Sequence, residues 1–198
     1  MTTLHQAVEK HIHTNLERLD RAADRSPGVR PIGDRRASVD EFLVATAQHL
    51  SAIIQVVLPV VHRRLPESRS LAREYLAAAK RLERALVMTK AKQYGQSQNV
   101  GRPWSRVWAS VREDLSAVTE MERLIVARLS DVLSDTEAHA LGDRIAVATH
   151  HAPTRSHPHL PHQGVAGKVV RVVWGRADRV WDEVEGRVTR PLPTPEAG

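Results

Sequence analysis

The sequence predicts an all-α protein, an up-and-down four-helix bundle with additional helices toward its C-terminal end. Three observations carry this. Apolar residues recur at steps of three and four through most of the chain, the spacing of one helical face. Clusters of Pro and Gly separate these stretches. The 198 residues include one Phe and two Tyr, so Leu, Val and Ala must fill the interior, as suits helix packing. A hydrophobic fraction of 41% is enough for one core-bearing domain.

The first helix is expected over 3–23, where Leu4, Val8, Ile12, Leu16 and Leu19 form a thin stripe. Two Pro and two Gly in SPGVRPIGDRR, 26–36, break it. A second helix is expected to begin at Ser38, an N-cap completed as a capping box by Glu41 three residues on. Phe42, Ala45, His49, Ala52, Val56 and Val60 make one face of it. Leu43, Leu50, Ile53, Ile54 and Val57 widen the apolar surface, so this should be the most buried helix. Pro59 should bend it or end its regular part, and Pro66 should close it.

A third helix is expected over 68–92, with Leu71, Tyr75, Leu76, Ala79, Leu82, Ala85 and Leu86 in period and Lys90 and Lys92 at its C-terminal end. The polar stretch 96–103 reads as a loop. A fourth helix over 104–133 carries Trp104, Trp108, Val111, Leu115, Val118, Glu122, Ile125 and Leu129, and a short one follows over 136–150. The Pro- and His-rich segment 150–164 cannot be a regular helix. Beyond it, Val170, Trp174, Ala177, Trp181, Val184 and Val188 define a last amphipathic helix. The organisation expected is therefore a bundle with its short following helix over 1–150, and a Pro/His-rich wrap with a C-terminal helix packed on the bundle over 151–198. The Val/Trp face of that last helix is the place where a homodimer would form.

The chain has no Cys, which excludes disulfides, thiolate chemistry and Cys-type zinc sites. Its first residues show no apolar signal region, so a cytoplasmic location is expected. The longest apolar run, 52–61, is too short to span a bilayer and is interrupted by Gln55 and Pro59. The net charge of +6 is spread over mixed-sign helices, and no DNA-reading motif accompanies it, so nucleic acid is not the expected partner. No nucleophile–base pairing, phosphate-cradling loop or dinucleotide fingerprint appears, and enzymatic activity is not expected.

Two stretches carry a family resemblance. HLSAIIQVVLPVV, 49–61, is similar to the second-helix motif of hemerythrin-like proteins, in which a His pair and acidic residues precede an apolar pair and a Pro. APTRSHPHLPH, 152–162, resembles a Pro/His tract that follows the bundle in actinobacterial members, with Ser156 where Pro is usual. The chain thus resembles the hemerythrin-like group, also called the HHE cation-binding domain, over roughly 39–187. The resemblance implies a four-helix bundle whose inward His and carboxylate side chains hold two irons.

Carried over residue by residue, that ligand set is incomplete. His49 matches the first His of the motif, but Leu50 stands at the second His, and Ile53 and Ile54 stand at the acidic positions. In the fourth helix Glu122 matches a carboxylate and Val118 replaces its His. The third helix has no His, and Lys80 and Glu83 are its nearest polar residues. The implied metal set reduces to His49, Glu122 and a first-helix His, with His13 taken and His11 as the other choice. By position alone, His49 reads as a core histidine bonded to Glu122 or to a backbone carbonyl. Glu122 is either that partner or turns to the rim toward an Arg.

The expectation is a non-enzymatic, hemerythrin-like bundle without the di-iron site, with a structural, sensory or small-ligand-binding role and no cofactor. One alternative is a metalloprotein keeping a single iron or other divalent metal through His49, Glu122 and His13. The other is a basic helical module that binds an acidic partner or nucleic acid.

Overall fold

The periodic stretches become five helices, and no strand occurs among the residues described by the computed structural model, 2–24, 32–94 and 101–152. Helix α1 spans Leu4–Ala23. Helix α2, Ile32–Ala52, runs through a π-helical turn, Ile53–Val57, into α3, Leu58–Arg64. Helices α4, Ser68–Gln93, α5, Trp104–Ser130, and α6, Asp135–His151, complete the set. The Pro/His-rich segment from 153 onward, the last amphipathic helix and its Val/Trp dimer face lie outside the described residues.

Helix starts follow capping chemistry. Thr3 Oγ1 accepts the Gln6 N–H while the Gln6 side chain accepts the Thr3 N–H, a reciprocal box that opens α1. Ser134 and Glu137 do the same for α6. The expected box at Ser38 is not formed as a cap. Helix α2 already runs from Ile32, and Ser38 is a buried position inside it. The Ser-x-x-Glu spacing at 38–41 is also one face of a continuous helix, and the helix continues upstream of it.

Pro59 does not end its helix, which passes through a π-helical turn and continues. A proline in a regular helix has no N–H to give to the carbonyl four residues back, and its ring collides with that carbonyl, here Gln55. The turn just before it widens so that the Leu58 N–H reaches Ile53 O, five residues back, and regular α geometry resumes. Pro66 then forces Leu65 into extended backbone, φ −109° and ψ 133°, which stops α3.

The helix from α2 to α3 is central. From Ser38 to Val61 only Glu41, Gln55 and Pro59 are more than slightly exposed. Its stretch Arg36–Arg64 is apolar enough to cross a membrane on composition, but 83% of the qualifying window is buried by the chain's own helices. Helices α1, α4 and α6 flank it, and α5 packs along α4 and α1. Two ion pairs set the register of α1 against α5. Arg123 grips Glu9 with both arms, at 2.8 and 3.1 Å, and Arg112 reaches Asp20 at 3.2 Å. The partners lie eleven residues apart on each helix and run in opposite order, so the two helices are antiparallel.

Trp108 packs in the core with Phe42 edge-on at 6.1 Å and Trp104 stacked at 5.6 Å. Lys92 lies over the Trp104 ring at 5.2 Å. These two tryptophans pack where the C-terminal end of α4 meets the start of α5.

Helix α6 buries Leu141 and Ile145 against the others. Gly142 lets it approach the start of α1. A Cβ there would collide with the Thr2 carbonyl oxygen and stand 2.8 Å from the Thr3 carbonyl carbon and oxygen. At an unobstructed helix position Gly→Ala stabilises by roughly 1 kcal/mol. Here overpacking against backbone reverses the sign, and Gly142→Ala should destabilise by about 1–3 kcal/mol. Urea unfolding of the variant checks this; a stabilised variant would show that α6 stands off from α1.

Candidate functional site

Four helices each send one polar side chain to the same level of the interior. His49 comes from the last full turn of α2 before the π-helical turn, Tyr75 from α4, Glu122 from α5 and His11 from α1. Glu122 is 2% exposed, His49 3% and Tyr75 0%, so three polar heads lie within hydrocarbon. A carboxylate in that setting requires donors. The Tyr75 hydroxyl donates to Glu122 Oε1 at 3.0 Å. His49 Nε2 stands 2.8 Å from Glu122 Oε2 and donates to it as the N–H tautomer. Both carboxylate oxygens are thereby occupied.

The His11 ring stacks on His49, with centroids 5.3 Å apart and planes 30° from parallel. Burial, with the neighbouring His49, Lys10 and Arg18, holds the His11 imidazole down to about 3 from its ordinary 6.5. It is therefore neutral near neutral pH and can lie against a second imidazole. Burial pushes the Tyr75 hydroxyl well above its ordinary value, reinforced by Glu122 and by Glu83. It stays protonated and remains a donor. His49 Nδ1 is buried without a hydrogen-bond partner.

Of the three residues expected at an internal metal, the structure joins His49 to Glu122 and places His13 elsewhere. His13 is on the outer face of α1, largely exposed, 3.1 Å from Glu17. His11, two residues earlier, is the one that faces inward: it lies four and three residues after the buried Ala7 and Val8 and four before the buried Asn15, and its ring meets His49. Glu122 is bonded to His49 and not to a rim Arg. Its neighbour Arg123 turns outward to Glu9, and this charge-assisted pair holds the Glu9 carboxyl below its usual range.

Sequence reasoning missed Tyr75, read as an apolar core position. Its signal is that a Tyr buried on a helical stripe needs a partner for its hydroxyl. Glu83 on α4 is buried as well, while Lys80 is exposed.

The donor set does not fit a pair of irons. Leu50, Ile53, Ile54 and Val118, which stand where the hemerythrin-like pattern has ligands, are buried hydrocarbon. His49 and Glu122 face each other at hydrogen-bond distance. Among the described residues no three His, Asp or Glu side chains converge as a metal cluster would require. His150 and His151 meet only edge-on, at 5.1 Å, and His157, His159 and His162 lie outside the described residues.

Tyr75→Phe removes a donor from a buried carboxylate and should cost about 1–3 kcal/mol, while His49→Leu should cost about 3–5 kcal/mol. The triple variant with Glu122→Leu as well should lose less than the two singles summed, because no polar group is then stranded. Urea unfolding tests this, and simple additivity would show that the three groups do not act as a unit.

The unfolded chain binds a proton at His11 below about pH 6.5, whereas the folded chain refuses it until about pH 3. This residue's contribution is complete above pH 6.5 and declines as pH falls through that window. His11→Gln should flatten the loss of stability between pH 6.5 and about pH 5, above most carboxylate titrations. Parallel pH profiles of the unfolding midpoint that coincide for parent and variant would contradict it.

Comparison of the chain with protein-family models, with curated proteins and with solved structures found no match.

Proposed function

We propose that this chain is a non-enzymatic helical bundle of hemerythrin-like type in which hydrogen bonds and hydrocarbon have replaced the di-iron centre. Its role on this reading is structural, sensory or small-ligand-binding. One observation carries the proposal: both oxygens of Glu122 are taken by Tyr75 and His49, so the carboxylate best placed to ligate a metal is already engaged. The up-and-down four-helix topology expected from the sequence belongs to the same proposal, and the antiparallel pairing of α1 with α5 supports it. In this scheme the interior fixes helix register and the outer surfaces make the contacts that matter.

The competing reading keeps one divalent ion through His49, Glu122 and a first-helix His. The structure favours His11 over His13 for that third position, because His11 is the one stacked on His49. The two readings separate on metal content. Protein purified without a His tag should contain no stoichiometric iron, manganese or zinc by elemental analysis, and a chelator should leave its unfolding midpoint unchanged. A stoichiometric metal that disappears in His49→Ala would overturn the proposal in favour of the single-ion reading.

A further inference from the structure

The outer seam between α4 and α5 carries a basic groove apart from the buried network. Between positions 80 and 112 the sequence has eight Lys and Arg and a single carboxylate, Glu83, which is buried. This stretch is the C-terminal half of α4 and the start of α5, so the basic excess lies on one end of one helix pair. A groove of about 240 Å³ opens there. Arg81, Arg84 and Arg102 stand on its walls, with Asp114 at one side, and Met88 and Val107 contribute apolar surface.

The three arginines are not equivalent. Arg81 Nε lies 3.5 Å from Asp114 Oδ1, so its charge is largely answered. Burial raises the Asp114 carboxyl, and Arg81 partly offsets that. Arg84 and Arg102 have no carboxylate partner among the described residues, and both are exposed. Two unanswered guanidiniums on one concave surface attract an anion, and the planar fork of each suits phosphate or carboxylate oxygens. Met88 and Val107 offer a short apolar shelf beside them. The groove is smaller than the roughly 300 Å³ at which sites for drug-sized ligands begin, so its occupant must be small. A polyanion tracking a long surface would not need this shelf.

We propose that this groove binds a small organic anion: a phosphate or carboxylate head held by Arg84 and Arg102, with a compact apolar body against Met88 and Val107. Asp114 repels the head from the Arg81 end and so fixes its placement. The site gives the chain a ligand-binding face that does not depend on the state of His49 and Glu122.

The test is titration of the full chain with phenyl phosphate and with inorganic phosphate, followed by calorimetry or by amide chemical shifts. Phenyl phosphate should bind saturably and several-fold more tightly than inorganic phosphate, because only it reaches the apolar shelf. Arg84→Gln and Arg102→Gln should each weaken binding by about tenfold, while Arg112→Gln, which breaks a pair with Asp20 elsewhere, should leave it unchanged. Asp114→Asn should tighten binding by freeing Arg81. Each variant is on an exposed or half-exposed side chain, and its unfolding midpoint confirms that it folds.

Equal weakening by Arg112→Gln would show general charge attraction and overturn the proposal. So would the absence of saturation, or weaker binding in Asp114→Asn. Binding to vesicles containing phosphatidylglycerol with none to phenyl phosphate would overturn it in favour of a membrane surface.

Discussion

The constraint on which the interior depends is the burial of one carboxylate. Glu122 lies deep among Leu, Ile and Val, where an unpaired carboxylate would cost several kcal/mol. It is tolerable only while Tyr75 and His49 both reach it, and they come from two different helices. The requirement therefore specifies the relative rotation and height of α2, α4 and α5 more sharply than apolar packing alone. Hydrocarbon surfaces can slide by part of a turn at small cost, whereas a hydrogen bond displaced by an ångström is lost. Outside, Arg123 with Glu9 and Arg112 with Asp20 repeat the same specification for α1.

The π-helical turn belongs to this scheme. It follows His49 by one turn and absorbs the ring of Pro59 by widening the backbone. An extra residue in one turn rotates every later side chain by roughly 100° relative to an unbroken helix. The residues on either side of it thus present different faces to the core, which is how one helix stays buried from Ser38 to Val61 although its apolar residues do not follow one stripe.

Most of the helical outline was legible in the sequence, because it rests on local periodicity and on Pro and Gly. The ends of α1, α4 and α6 fall within a residue or two of the expected positions. The start of α2 was not legible: Ser38 with Glu41 has the spacing of a cap, but so do Ser134 and Glu137, and only the latter pair caps. What differs is whether the preceding residues leave the helix, a property of their backbone that the four-residue pattern does not contain. In the site, the pairing of His49 with Glu122 was open to sequence reasoning, since both sit on apolar faces. The roles of Tyr75 and His11 were not. They depend on which residues of other helices stand at the same height, and that is fixed by inter-helix register.

The close approach of α6 to the first residues of α1 has a consequence for how the chain is made. Gly142 lies against the backbone of Thr2 and Thr3, so α1 is completed by the last of the described helices. During synthesis α1 can meet α2 early, but one flank of that pair stays uncovered until α6 leaves the ribosome. A contact spanning nearly the whole described chain is entropically late, and it ties α1 and α6 into one cooperative unit. A chain halted before α6 would leave that flank as an apolar strip open to chaperones or aggregation.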